Sequence, residues 1–148
     1  MKSKPKIAVF ASGNGSNFQA IVEATKKHDL HADVVAVVTD RPQAYVVERA
    51  AAVGVPAIAI RPKDFVSKTD YEQAILNELN KLDVEWLVLA GYMRLIGETL
   101  LEAYANKIVN IHPSLLPSFP GKDAIGQALA NGVKVTGIMV QQIYAGCD

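Results

Sequence analysis

A chain of 148 residues makes one ordinary domain, long enough to bury most of its apolar surface, and half of its residues are hydrophobic. Its 15 acidic and 15 basic side chains cancel, so no net positive field gathers phosphates, which argues against a nucleic-acid-binding or membrane-surface protein. The one cysteine, Cys147, cannot form an internal disulfide, and MKSKPK leads into an apolar run too short for a signal peptide or a membrane span. A soluble, cytoplasmic domain is the expectation.

Along the chain, apolar runs of strand length alternate with segments of helical period. The first strand is read over 6–12 (KIAVFAS) and the first helix over 16–28, with Phe18, Ile21 and Val22 on one side. Ser16 followed by Gln19 matches a capping box, which starts that helix at Ser16. A second strand covers 33–40, and a helix over 43–54 closes on Gly54 as its C′ residue. A strand over 55–60, a helix over 69–82 and strands over 85–91, 107–112 and 134–143 follow, with shorter helices near 97–105 and 122–131.

Strands this continuously apolar are covered on both faces, as in parallel sheets with crossover helices. The fold class expected is α/β: a doubly wound, mostly parallel, Rossmann-like sheet with helices on both faces, forming a single domain over 1–148. Ligands in such folds sit beyond the carboxyl ends of the strands. The segments to inspect are therefore 12–17, 39–41, 91–94 and 110–121.

Three of these segments carry chemistry. In ASGNGSN (11–17), Gly13 and Gly15 let the backbone turn tightly, and the N–H groups of Gly15, Ser16 and Asn17 then open a helix N-terminus that favours an anion. The stretch is neither GxGxxG nor a Walker loop, so it reads as a connecting turn or as a site for a single phosphate monoester. In LAGYMRLIG (89–97), Tyr92, Met93, Leu95 and Ile96 either pack internally or offer a flat apolar ligand a surface, and Arg94 either reaches a carboxylate or is solvated.

The third segment is VNIHPSLLPSFPG (109–121). Asn110 and His112 alternate with Val109 and Ile111, so on a strand they share a face. They are either structural polar groups or a pair suited to polarising a carbonyl and moving a proton. Pro113, Pro117 and Pro120 stiffen the backbone just behind them. No metal is expected, because His28, His31 and His112 lack ligand spacing and Cys147 has no neighbouring thiol.

With FASGNGSNFQAI, LAGYMR and NIHPSLLPSFPG in order, essentially the whole chain resembles the glycinamide ribonucleotide formyltransferases, folate-dependent enzymes of purine synthesis. The resemblance implies a Rossmann-like formyltransferase fold and a catalytic trio of Asn110, His112 and Asp148. It implies ribonucleotide phosphate on Gly13, Asn14, Gly15, Ser16 and Asn17, with Lys68 as a cationic helper. It also implies folate against Met93, Arg94, Leu95, Ile96 and Asn110, and against Ile143, Tyr144, Ala145, Gly146 and Cys147. The co-substrates would be glycinamide ribonucleotide and 10-formyltetrahydrofolate, with no metal, nucleic acid or membrane partner and a monomeric or homodimeric state.

Two departures stand out. Where the family has a histidine in its strand before the aspartate, this chain reads MVQQIY, with Gln141 at that place. Family members also continue beyond the aspartate, so the domain over 1–148 is expected to be C-terminally incomplete relative to them. Two other readings remain open: a formyltetrahydrofolate deformylase-type hydrolase, and a non-catalytic phosphate- or folate-binding module.

Overall fold

The computed structural model describes residues 4–111 and, as strand backbone, Val140–Ile143. Strands β1 (Lys6–Phe10), β2 (Asp33–Thr39), β3 (Ala57–Ala59), β4 (Trp86–Ala90), β5 (Ile108–Ile111) and β6 (Val140–Ile143) form one sheet in the order β3-β2-β1-β4-β5-β6. The first five are mutually parallel, and β6 runs antiparallel to β5. All five residues of β4 are buried, the outcome expected of WLVLA, which has no polar position to turn toward water.

Because side chains alternate along a strand, each strand feeds two cores. Ile7 and Val9 face α1 (Ser16–Lys26) and α2 (Tyr45–Val53), joining Phe18, Ile21, Val46 and Ala50. Ala8 and Phe10 face α3 (Lys68–Lys81) and α4 (Glu98–Ala103), joining Tyr71, Ile75, Leu79 and Leu100. The sheet is thus doubly wound, as its apolar runs imply. Strand order reverses between β1 and β4, and the crevice beyond that pair is where such folds bind ligands.

Several element ends depart from the sequence reading, and at α1 and α3 the cause is visible. The capping box at Ser16 and Gln19 does not form. Gly15, in the left-handed conformation at φ 82°, is the N-cap, no side chain caps the helix, and Gln19 Nε2 instead donates to Glu23 Oε2 at 3.2 Å. A left-handed N-cap displaces the extended geometry that a reciprocal box requires. Helix α3 starts at Lys68, one residue earlier than read, because Ser67 Oγ accepts the Asp70 N–H at 3.1 Å. Gly54 adopts φ 74° at the end of α2, as its position demands. The helix expected near 122–131 and the strand residues 134–139 lie outside the described residues.

Candidate active site

The loop between β1 and α1 is built from distant parts of the chain. At Gly15 a Cβ would fall 2.6 Å from Val46 Cγ2, so the residue must be glycine for space as well as for its positive φ. Gly13 offers its carbonyl to the Val46 N–H at 3.1 Å. Arg49 holds Asn14 twice, from Nε to the carbonyl at 2.8 Å and from Nη2 to Oδ1 at 2.9 Å, while its guanidinium lies 4.9 Å above the Tyr45 ring. The N–H groups of Gly15, Ser16 and Asn17 hydrogen-bond no described residue, and no acidic side chain occupies the first turn of α1. An anion placed there would meet the positive end of the helix and donors already pointing outward.

Ser12 and Asp40 fall within segments 12–17 and 39–41, where no local sequence pattern marks either of them. Both are buried. The Ser12 hydroxyl donates to Asp40 Oδ1 at 2.6 Å and accepts the Met93 N–H at 2.8 Å, while the Ser12 N–H donates to the Gly91 carbonyl at 3.1 Å. The ends of β1, β2 and β4 are joined through this one side chain and its amide.

The segment after β4 turns at Gly91, φ 87°, and then divides its residues between core and surface. Tyr92 points inward, edge-on to Phe10 with ring centroids 5.1 Å apart and its hydroxyl 2.7 Å from that of Tyr71. Burial, reinforced by this hydrogen bond, pushes the Tyr92 phenol far above its ordinary value, and burial raises Tyr71 too. Met93 and Leu95 are 72% and 79% exposed, an unusual outlay for large apolar side chains at a ligand crevice. Arg94 lies 5.7 Å over the Tyr71 ring. The segment ends at Gly97, whose N–H is taken by the buried carboxylate of Glu72 at 2.7 Å.

Of the phosphate residues read from sequence, 13–17 lie together where one loop enters α1, and Lys68 comes from a different element. It opens α3, on the opposite face of the sheet from α1, and its Cε would sit 3.0 Å from a Cβ at Gly97. The structure thus brings Lys68 to the end of the 91–97 segment. Asn110, half-buried on β5, stands in register with Leu89 of β4 and Gln141 of β6, flanked by the buried Val109 and Ile111. Ile143 pairs with Ile108 at the amino end of β5, because β6 runs antiparallel, and Val140 is the β6 residue opposite Ile111. His112, Asp148, Tyr144, Ala145, Gly146 and Cys147 lie outside the described residues, as does the proline loop 113–121.

A neighbouring cleft of about 800 Å³, not anticipated from the sequence, opens beyond β2 and β3 and is lined by Asp40, Arg41, Arg61, Lys63 and Arg94 among others. Its four cations favour an anionic group. No group of three or more His, Cys, Asp or Glu side chains among the described residues converges as a metal site, and no described helix is long and apolar enough to cross a membrane.

The sequence model of the formyl transferase family matches residues 5–148. The chain belongs to the formyl transferase family. Its similarity to the phosphoribosylglycinamide formyltransferase of Bacillus subtilis is 56% identity over 143 residues, covering 97% of the chain and 73% of that protein. The trifunctional purine biosynthetic protein adenosine-3 of Drosophila melanogaster is 37% identical over 147 residues, 98% of the chain but 11% of that much larger protein. The crystal structure of glycinamide ribonucleotide transformylase 1 from Geobacillus kaustophilus superposes with a TM-score of 0.73 at 53% identity, covering 97% of the chain and 85% of the other. These relatives place this formyl transferase in the purine-biosynthetic branch of its family, and their shared fold is the doubly wound sheet described above.

Proposed function

We propose that the chain transfers the formyl group of 10-formyltetrahydrofolate to the amine of glycinamide ribonucleotide. The observation that supports this most directly is the pairing, across one strand-order reversal, of an anion-ready helix N-terminus at 15–17 with the exposed apolar side chains of Met93 and Leu95. The first suits the ribonucleotide phosphate, and the second suits a flat pterin. Lys68 and Arg94, both on the 91–97 side, together with the cationic cleft, suit the carboxylates of the folate's glutamyl end.

In this reading the ribonucleotide amine attacks the formyl carbon, and the carbonyl electrons move to oxygen as the tetrahedral intermediate forms. Asn110, beside the crevice on β5, and His112, two residues further along, stabilise that oxyanion. Asp148 positions a water or His112 so that the proton lost by the amine reaches N10 of the folate. The N10–formyl bond then breaks and tetrahydrofolate leaves. Gln141, in register with Asn110, can donate a hydrogen bond but carries no charge. We place this chemistry in the cytoplasm.

The test is folate-product absorbance with the purified chain, a 10-formyl folate and glycinamide ribonucleotide, alongside His112→Ala. Ribonucleotide-dependent product that disappears in His112→Ala supports transfer. Formyl release that ignores the ribonucleotide points instead to hydrolysis, and binding of either substrate without any product points to a non-catalytic module.

A further inference from the structure

Ser12 is 1% exposed and carries no charge, and its hydroxyl is fully engaged, giving its proton to Asp40 and accepting one from Met93. A hydroxyl so committed is no nucleophile. Its place in the chain is the notable point. Ser12 immediately precedes the glycine loop 13–17, while its two bonds to Gly91 and Met93 clasp the opposite wall of the crevice. The O–H···O distance of 2.6 Å is that of a charge-assisted bond to a carboxylate, so Asp40 fixes the direction in which the hydroxyl offers its lone pairs to Met93.

Beyond Met93, among the described residues, no backbone hydrogen bond to another element holds the segment before Gly97. Met93, Arg94 and Leu95 are all exposed; Arg94 lies over the Tyr71 ring, and the next anchors are Ile96, packed against the core, and the Gly97 N–H on Glu72. We propose that Ser12 is a positioning residue for the formyl donor: with Asp40 it locks Met93–Leu95 against the root of the nucleotide loop, touching neither substrate. This rests on the reading that 93–96 receives the folate and 13–17 the ribonucleotide phosphate. Losing the hydroxyl strands the Met93 N–H and one carboxylate oxygen, so the segment must be ordered anew each time the folate binds. The nucleotide loop keeps its own anchors, Val46 and Arg49, and loses none of them.

The experiment is calorimetric titration of the 148-residue chain with 10-formylfolate and, separately, with glycinamide ribonucleotide. Ser12→Ala should raise the Kd for 10-formylfolate about tenfold while moving that for the ribonucleotide less than about twofold. Asp40→Asn, which still presents an oxygen to the hydroxyl, should recover most of the donor affinity. Leu79→Ala, in the core at the other end of α3, should lower Tm without changing the ratio of the two constants. An unchanged donor Kd in Ser12→Ala, or an equal rise in both constants, overturns the proposal. Should Ser12→Ala fail to fold, Asp40→Ala must show the same selective loss, and an equal rise in both constants there overturns it as well. A parent chain that binds neither ligand removes the functional reading itself, and this inference with it.

Discussion

The buried Glu72 carboxylate of α3 accepts the Gly97 N–H at 2.7 Å and the Leu100 N–H at 3.3 Å, so one helix caps the next across a gap of 25 residues. A helix as short as α4 has too few internal bonds to stand without such a partner. Glu72→Ala should cost about 2 kcal/mol in urea unfolding, since it leaves two amide donors without an acceptor. Glu72→Gln retains an acceptor and should cost about half as much. A loss in Glu72→Ala below about 0.5 kcal/mol would show that water takes over the capping.

Gly15→Ala meets two separate obstacles. The left-handed backbone alone costs an alanine about 1–2 kcal/mol, and the new Cβ would also lie 2.6 Å from Val46 Cγ2 and 2.7 Å from Val46 Cβ. Adding Val46→Ala removes only the Cγ2 contact. The double variant should therefore remain destabilised and should bind glycinamide ribonucleotide at least about tenfold more weakly than Val46→Ala alone. Full recovery of affinity in the double variant would mean that the loop tolerates another conformation.

The Tyr71–Tyr92 pair predicts a loss of stability in alkali. Burial raises both phenols in the folded state, so above about pH 10, the ordinary phenol value, the unfolded chain loses protons that the folded chain keeps. The unfolded state then binds fewer protons, and the unfolding free energy falls as pH rises. Tyr104, pushed up to about 12 by burial with its hydroxyl on the Val84 carbonyl, adds to the same slope. Urea midpoints measured on either side of pH 10 should fall less steeply in Tyr92→Phe than in the parent. Equal slopes would show that Tyr92 does not take part.

The sheet was legible because its strands are uniformly apolar. WLVLA and IAVF have no polar residue to face solvent, so burial on both sides and parallel pairing follow without knowledge of the partners. Caps were less legible. Ser16 and Gln19 have the right spacing for a box, but a left-handed Gly15, set by Val46 31 positions away, decides the geometry instead. The candidate site was legible only where it has a local pattern, in Gly13 and Gly15 of the loop after β1; the Asn110–His112 alternation is a pattern of the same kind, but His112 lies outside the described residues. Ser12, Asp40, Arg49 and Glu72 escaped notice for one reason. Each acts through a partner 25 to 81 residues away, and serine, aspartate, arginine and glutamate singly placed in a chain carry no sign of what they will meet.

The way SGNGSN is held has a consequence for anyone who would treat it as a portable cassette. Gly13 and Asn14 are held by Val46 and Arg49 from α2, while Ser12 is tied to Asp40 at the end of β2 and to the backbone at Gly91 and Met93. Transplanted alone onto the β1–α1 junction of another doubly wound protein, these six residues would keep their chemistry and lose their conformation. The smallest transferable unit is β1, β2 and β4 together with α2, and the motif is its keystone.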